Sequence, residues 1–394
     1  MKIEIERDSI GEWLTFGIVL FGILKYFSGV IHEVGNYAIL GMGILLIFHC
    51  VQNYNESKRY LFLMVGTFFL GLLNIIIVNQ NVLGRNLLVS IGFFSVALYI
   101  VITPRCLSVN AWTLMFIFSV ILVMHRLFTY GERIFEHHNR NHVSAILFVT
   151  VFFVVYALEQ RGLRPPMLLY IAFFLCCIFA YGRMGIIGSG INLALILWKR
   201  IFNIGSEDST RNRFFYSFVL IMVVLIMVVL FMAKSDVILK QYFSRFVIED
   251  STVLNSNMKR LAMLEDYLAK LTNVRNLLFG VNTMQGIRYA NTYGGNVHNA
   301  YFLAHAEYGI IGLIFVIYGV IKGSLFFWKN KFHETAIVLI SYYIRSLTDD
   351  IWRNDFGTIL VWVGIIGALY GAYNKDLPQN INDKDIGFGK NVGI

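Results

Sequence analysis

A histidine and an asparagine stand where a polar, glycine-rich segment turns into an apolar stretch. The segment from Phe279 to Gly312 reads FGVNTMQGIRYANTYGGNVHNAYFLAHAEYGIIG, and its character changes at His298 and Asn299. An imidazole changes its charge near neutral pH, so it can take a proton from a reacting hydroxyl. His298 is therefore the first candidate for acid–base chemistry.

Two arginines are candidates for binding an anion. Arg183 has apolar sequence on both sides, and an arginine in or near a membrane usually faces a cavity or a partner, the alternative being a side chain that reaches the headgroups. Arg260 lies in the first turns of a predicted amphipathic helix, Asn257 to Leu271, in which leucines recur at helical spacing. A solvated basic face is the alternative for Arg260.

A loop from Arg126 to His142, RLFTYGERIFEHHNRNH, is dense in basic side chains. Arg140 could contact an anionic ligand. His137, His138 and His142 could bind a metal, although adjacent histidines reach one ion only with backbone distortion, so an interfacial polar loop is the commoner reading. In the last predicted outer loop, three acids either bind a cation or pair with two arginines; these residues are Asp349, Asp350, Asp355, Arg345 and Arg353.

The composition is that of a membrane protein. The chain has 394 residues, of which 57% are hydrophobic and 14% charged, and its mean hydropathy is +0.64. In a soluble domain, roughly a quarter of the residues are charged. A span needs about 20 mostly apolar residues. The candidate spans are 12–31, 37–52, 60–78, 86–103, 110–129, 143–159, 165–182, 184–202, 214–233, 299–321, 335–347 and 356–373.

Lysine and arginine in the short loops predict the orientation. With the N-terminus inside, the inner connections carry about twice as many of them as the outer ones, so both termini are expected in the cytoplasm. We expect three regions: nine spans in 1–233, an outer-face loop with an amphipathic helix in 234–298, and three spans with a cytoplasmic tail in 299–394. The first apolar stretch lacks a small-residue cleavage site and is predicted to be a retained span.

Composition also argues against several classes of protein. The net charge of +9 contains no block of five or six basic residues, so a nucleic-acid surface is not predicted. Cys50, Cys106, Cys176 and Cys177 form no Cys-x-x-Cys pair, which argues against a disulfide or zinc framework. The predicted first outer loop, residues 32–36, holds one acid, Glu33, instead of the acidic pair often found in enzymes that use polyprenyl-phosphate sugars.

Several motifs, in order along the chain, resemble those of the O-antigen ligase and polymerase superfamily. His298-Asn299 followed by Gly309 and Gly312 fits the pattern H-N-x9-G-x-x-G. GRMGIIG at 182–188 is similar to the family's S-R-t-g opening of a span, with glycine where serine is usual. Lys259-Arg260 followed by NLLFG at 276–280, and NRNH at 139–142, resemble two further family stretches.

The resemblance implies a fold and an activity. The fold would be an all-α, polytopic membrane bundle of about twelve transmembrane helices, similar to the GT-C class, with one larger outer-face loop. The activity would be a metal-independent glycosyl transfer, without a cofactor, on the outer face of a bacterial inner (plasma) membrane. The donor would be an undecaprenyl-diphosphate-linked oligosaccharide, and the implied partners are the bilayer and, as candidates, a flippase and a chain-length regulator of the same pathway.

The same resemblance suggests roles for individual residues. His298 would be the general base, while Arg183 and Arg260 would hold the diphosphate through bidentate, permanently charged guanidinium groups. Asn299 and Tyr301 would orient His298 or the sugar, and Gly309 and Gly312 would permit close helix packing. Three further arginines would help to line the site: Arg140, Arg288 and Arg345.

The acceptor separates the remaining alternatives. A polymerase adds the glycan to a lipid-linked repeat unit, whereas a ligase passes it to lipid A core; we favour the polymerase because each repeat unit needs its own. A lipid-linked sugar flippase is the alternative from another class. It would predict internal repeats and a midplane site, and the sequence shows neither.

Overall fold

The described part of the protein is entirely helical. The computed structural model describes residues 8–27, 29–79, 83–103, 107–130, 141–180, 182–202, 251–293, 295–348 and 356–373, and these contain helices and turns but no strand. The helices are α1 Ser9–Leu24, α2 Gly29–Asn53, α3 Leu61–Val78, α4 Leu83–Ile102, α5 Val109–Tyr130, α6 Asn141–Glu159, α7 Met167–Phe179, α8 Arg183–Phe202, α9 Ser251–Lys270, α10 Val274–Phe279, α11 Ala300–Tyr318, α12 Ser324–Lys329, α13 His333–Arg345 and α14 Thr358–Tyr373. The all-α prediction is confirmed.

Many of these helices suit a bilayer. Six are long and apolar enough to cross a membrane, namely Ile31–Asn53, Asn55–Val78, Val109–Thr129, His142–Glu159, Met184–Phe202 and Ala300–Lys329. Four shorter apolar helices accompany them. The predicted span 214–233 lies outside the described residues, while each of the other eleven overlaps a helix. The first, 12–31, extends past the end of α1 at Leu24 and into the start of α2 at Gly29. The multi-pass membrane class is supported, and the number twelve stays a prediction.

The predicted first outer loop is wrong. Residues 32–36 lie inside α2, which runs without interruption from Gly29 to Asn53. Gly35 packs on the end of α1, because a Cβ there would lie 3.6 Å from the carbonyl oxygen of Phe21 and 3.4 Å from Cβ of Lys25, which is ordinary van der Waals contact. This stretch therefore continues the helix and contacts α1, and it does not form a turn.

The core is centred on α6. Of its span, 83% is buried, compared with 17% for the span that contains α3. Phe148 and Phe152 of α6 are fully covered, and Phe148 packs its ring edge-on against Phe173 of α7 and Tyr342 of α13. Helix α3 is thus a peripheral element, whereas α6 holds together the helices that carry the arginines.

An ion network fixes one end of this group of helices. Glu334, which is 1% exposed, accepts hydrogen bonds from Nη2 of Arg200 at 2.7 Å and from the Tyr170 hydroxyl at 2.7 Å. The carboxylate of Glu159 accepts from the backbone N–H groups of Glu334 and Thr335 at 2.8 and 2.9 Å. These contacts therefore join α6, α7, α8 and α13 at this end and fix the positions of the four helices relative to one another.

A helix overlaps the predicted amphipathic segment 257–271, but the leucines that recur there are not its most buried side chains. The helix α9 begins at Ser251, earlier than predicted. Met263 and Tyr267 are its fully buried side chains, whereas Leu261 and Leu268 are about half exposed. Tyr267 determines this orientation, because its ring packs on Phe302 of α11 and its hydroxyl finds hydrogen-bond partners there.

Candidate functional site

His298 is held in an unusual backbone conformation. Its φ is +52°, in the left-handed region, which non-glycine residues seldom adopt and which functional sites often contain. The side-chain Oδ1 of Asn296 accepts a hydrogen bond from the His298 N–H at 2.5 Å. The imidazole is half-buried. The direction of the His298 side chain is thus set by a local turn just before α11.

Asn299 begins α11 and ties it to α13. Its Oδ1 accepts from the N–H groups of Tyr301 and Phe302 at 3.0 and 3.1 Å, which is the usual N-cap arrangement. Its Nδ2 donates to the carbonyl of Leu347 at 2.8 Å. The Tyr301 hydroxyl donates to the carbonyl of Tyr343 at 3.3 Å. Both residues therefore place the His298 turn beside the end of α13.

Arg345 is a buried arginine at that same end of α13. Its side chain is 0% exposed, and its Nε donates to Oγ of Ser144 on α6 at 2.6 Å. It also packs against α8, because a Cβ placed on Gly188 would lie 3.0 Å from Cβ of Arg345. A charged group so deeply buried needs partners, and Ser144 is one of them. The sequence placed Arg345 in an outer loop, whereas it lies in the last turn of the helix.

Arg183 is the first residue of α8, and its helix reaches the same place. The first turn of α8 packs on α6, since a Cβ on Gly185 would lie 2.9 Å from Cβ of Ser144. Gly188, which packs against Arg345, lies five residues after Arg183, about 7.5 Å along the helix axis. The Arg183 side chain and all of Arg140 lie outside the described residues. Arg140 directly precedes α6 in the sequence.

Four helix ends therefore meet around the predicted residues. The N-termini of α6 and α8 contact the C-terminal turn of α13, and the N-terminus of α11 is bonded to the residues that follow it. A helix N-terminus carries a partial positive charge and free N–H groups that favour anions. The N-termini of α6, α8 and α11 thus lie near the end of α13, in a region that favours an anion.

Arg260 lies on the buried stripe of α9. It is half-buried, and among the described residues its buried Nε has no hydrogen-bond partner. Met263 and Tyr267 follow it at three and seven residues, on the same face of the helix. Met263 belongs to the apolar cluster that contains Val297, the neighbour of His298. An unsatisfied, permanently charged donor of this kind is suited to an anionic ligand.

Arg288 is engaged with acidic residues of α9. Its Nε donates to Oδ2 of Asp266 at 2.9 Å, its backbone N–H donates to the same oxygen at 2.7 Å, and Nη2 lies 3.3 Å from Oε2 of Glu265. The hydrogen bond from Arg288 is the main reason why the pKa of Asp266 lies below its ordinary value. The pKa of Arg288 is raised by the same bond. Arg288 thus fastens the glycine-rich segment to α9.

Asn74 is a residue of the site region that the sequence analysis missed. It is 0% exposed on α3, and its Nδ2 donates to the carbonyls of Phe279 and Ala306 at 2.8 and 2.7 Å. It thereby joins α3 to the end of α10 and to α11. An asparagine inside the apolar run LGLLNIIIV was the available signal, because buried polar groups in a membrane span usually have a specific partner.

His305 is a structural histidine, as its depth in α11 predicts. It is 2% exposed; Nδ1 lies 2.7 Å from the Tyr267 hydroxyl, and Nε2 lies 2.9 Å from the carbonyl of Leu277. Since a carbonyl only accepts, Nε2 is the donor of that bond. His305 therefore fastens α9 and α10 onto α11.

Gly309 breaks α11 in the middle. Its φ of +67° and ψ of −168° are not helical and belong to a region that only glycine adopts readily. A Cβ there would collide with the Leu278 carbonyl group and would lie 3.0 Å from Cα of Phe279. The expected role in close packing holds for Gly309, against the α10 backbone. At Gly312 a Cβ would meet the side chain of Tyr308 in the same helix.

The described residues contain no group of three His, Cys, Asp or Glu side chains arranged to hold a metal ion. His142 packs its ring against Tyr26 at 5.3 Å. The other residues of the two suggested metal sites, His137, His138, Asp349, Asp350 and Asp355, lie outside the described residues. The same holds for Cys106, whereas Cys50, Cys176 and Cys177 are buried free thiols.

Comparison with known proteins adds one match. Residues 168–317 match the family model described as O-antigen ligase. The matched segment is less than half of the chain, and it contains Arg183, Arg260, His298 and Gly309. It confirms the resemblance to the O-antigen ligase and polymerase superfamily that the motifs indicated. No curated protein matches the sequence.

Proposed function

From this O-antigen ligase match, we propose that the protein is a polymerase of a bacterial surface polysaccharide, such as O-antigen or capsule. It would transfer a glycan from undecaprenyl diphosphate to a sugar hydroxyl of a lipid-linked repeat unit. The single observation that supports this most is the meeting of the Arg345 turn with the start of α8 and with the His298 turn. The His298 turn and Arg345, from distant parts of the chain, thereby lie at the same end of the bundle as the start of α8, whose first residue is Arg183.

The proposed reaction assigns a role to each group. His298 takes the proton of the acceptor hydroxyl while the hydroxyl oxygen attacks the anomeric carbon. The bond from that carbon to the diphosphate oxygen breaks, and undecaprenyl diphosphate leaves with the bonding electron pair. Arg183 and Arg260 stabilise the charge that develops on the diphosphate, supported by Arg140, Arg345 and the helix N-termini. Permanently charged guanidinium groups would then do what a metal ion does in other transferases.

We assign structural roles to three of the residues expected at the site, on the basis of their contacts. Asn299 acts as a helix cap and as a link to Leu347, so we assign it the positioning of His298. Tyr301 supports the same link. Arg288 already has two acidic partners, and we assign it to the fastening of the loop.

We infer the membrane orientation of the site from the distribution of basic residues. The excess of Lys and Arg in the predicted inner loops favours cytoplasmic termini and a site on the outer face of the plasma membrane. The ion network of Glu334 lies at the end of α13 opposite to Arg345, which would put it on the cytoplasmic side.

A ligase is the second candidate, because the matched family model is described as O-antigen ligase. The two activities share the donor and differ in the acceptor. The flippase alternative receives no support from the match.

Replacement of His298 tests the proposal. His298→Asn and His298→Gly both tolerate a positive φ, so they remove the imidazole without backbone strain, whereas His298→Ala adds about 1–2 kcal/mol of strain. We expect elongation to fall about 10²- to 10⁴-fold, the usual contribution of a general base, in Asn and Gly variants that keep wild-type thermal stability. His125→Asn on α5 is the matched control and should elongate normally.

The products separate the candidates. A polymerase variant should accumulate single lipid-linked repeats, while a ligase variant should accumulate long lipid-linked polymer with none on lipid A core. Long chains of normal abundance and attachment in the His298→Asn and His298→Gly variants would refute a catalytic role of the imidazole.

A further inference from the structure

A large apolar cavity lies beside the helix that carries His298. Its volume is about 410 Å³, and it is bounded by α3, α11 and α14 with one residue of α4. Aromatic side chains form much of its wall: Phe62, Phe69, Tyr308, Phe315 and Trp362. Its one ionisable acid, Glu307, is 6% exposed. Such a cavity suits a hydrocarbon ligand more than a sugar or a free anion.

The cavity opens toward the side of the bundle. Phe62, Phe69 and Ile311 on its rim are 50%, 60% and 49% exposed. They belong to two helices that are long and apolar enough to span a membrane. In a bilayer, exposed apolar side chains at this depth face lipid, so a hydrocarbon chain can enter the cavity laterally without crossing water.

The cavity extends along α11 toward the candidate site. Leu303, its first lining residue on α11, is four residues after Asn299, about 6 Å along the helix. The lining continues past the break at Gly309 to Val316. A ligand with a polar head at the His298 turn would therefore have its apolar tail beside this wall.

We propose that this cavity holds the polyprenyl chain of the lipid-linked substrate. The inference rests on the proposed function, since it takes the chain to be that of the diphosphate-linked donor. The cavity would keep the chain next to α11 while the diphosphate reaches the arginines, which orients the anomeric carbon toward His298. Burial of the chain would then contribute to substrate affinity apart from the headgroup contacts.

Gly66 allows the cavity to be filled without disturbing the backbone. It lines the cavity on α3, and a Cβ there would meet no atom within 4 Å. Gly41 on α2 has the same open surroundings but does not line the cavity, so it is the matched control. Both glycines lie inside helices, and each would be replaced by phenylalanine in the full-length protein.

The experiment measures binding of undecaprenyl diphosphate and of inorganic pyrophosphate to the purified protein in micelles. We expect Gly66→Phe to weaken undecaprenyl diphosphate binding about tenfold or more, which corresponds to roughly 1.4 kcal/mol. Pyrophosphate binding should be unchanged, because it lacks the chain. Gly41→Phe should bind both probes as the wild type does, and equal thermal midpoints would show that both variants are folded.

Two results overturn the inference. If Gly66→Phe binds undecaprenyl diphosphate as tightly as the wild type, or loses a co-purifying phospholipid with that affinity unchanged, the cavity does not hold the substrate chain, while the proposed function stands. If the wild type does not bind undecaprenyl diphosphate, the proposed donor is wrong and the inference fails with it.

Discussion

Replacement of Gly309 by alanine probes the geometry on which the His298 turn depends. Gly309 has φ +67° and ψ −168° in the middle of α11, and the backbone of Leu278 and Phe279 lies against its Cα. Alanine in this conformation costs about 1–3 kcal/mol. A Cβ there would collide with the Leu278 carbonyl group and lie 3.0 Å from Cα of Phe279. Overpacking of this kind typically costs about 1–3 kcal/mol.

The two costs sum to a decrease of about 2–6 kcal/mol in the free energy of unfolding. Because α10 would be pushed away from α11, the glycine-rich segment that leads to His298 should shift, and chain elongation should fall as well. The assay is thermal and denaturant unfolding of the purified protein in detergent, followed by chain-length analysis of the polysaccharide in cells.

Gly41→Ala is the control, since Gly41 lies inside α2 with no atom within 4 Å of the new Cβ. It should be neutral or stabilising by up to about 1 kcal/mol. The double variant Leu278→Ala with Gly309→Ala should show no rescue, because the clash involves backbone atoms of Leu278. If Gly309→Ala unfolds like the wild type, the break in α11 and its contact with α10 are not as described.

Three further predictions concern the contacts that hold the site. Asn74→Leu removes the donor to the carbonyls of Phe279 and Ala306, and we expect a loss of about 0.5–1.5 kcal/mol for each hydrogen bond removed, measured by chemical unfolding. Arg200→Met leaves Glu334 buried without its main partner and should cost about 3–5 kcal/mol, whereas the double variant Arg200→Met with Glu334→Leu should regain most of this; equal losses would contradict the network. The lowered pKa of Asp266 predicts stability that is fully present above the ordinary carboxyl pKa of about 3.9 and is lost as pH falls through the lowered value. Arg288→Gln should flatten that acid limb slightly in thermal midpoints measured between about pH 6 and pH 3, and an unchanged limb would count against the Arg288–Asp266 bond.

Hydropathy predicts the helices well because burial in a bilayer demands long apolar runs. The helix boundaries are predicted less well where a glycine is compatible with either a turn or a helix–helix contact. The segment His32 to Asn36 looks like a loop, yet Gly35 serves as a contact surface for α1. The sequence shows where glycines and polar residues lie. It does not show whether a glycine forms a turn or contacts a neighbouring helix.

The face of α9 was predicted only in part, for a related reason. Counting leucines selects the stripe Leu261, Leu264, Leu268 and Leu271. Leu261 and Leu268 are about half exposed, whereas Leu271 packs against the apolar cluster of Met263 and Tyr267. The buried stripe contains Met263 and Tyr267, because a tyrosine hydroxyl beside His305 and the Phe302 carbonyl has polar partners in an apolar place. The partner lies 35 residues or more away, so no local pattern reveals it. This stripe also carries Arg260, which supports its predicted direction toward the site.

The family motif identified His298, and the contacts that position it come from distant segments. Asn296 lies in the polar run just before His298, and its side chain accepts the hydrogen bond that fixes the His298 turn. Ser144 and Arg345 are 201 residues apart and meet only in the folded bundle. Sequence spacing predicts neighbours within one helix, whereas contacts between helices depend on how the whole bundle assembles.

The break at Gly309 has a consequence for how the sequence can change over time. The Ala306 carbonyl, just before the break, accepts its hydrogen bond from Asn74 of α3, and Gly280, with φ +100°, fits against the same stretch. In hydrocarbon an exposed backbone carbonyl is expensive, so an asparagine on a lipid-facing helix is useful only while α11 stays broken. Among homologues these three positions should therefore covary: a lineage that straightens the helix by losing the glycine is free to lose the asparagine too.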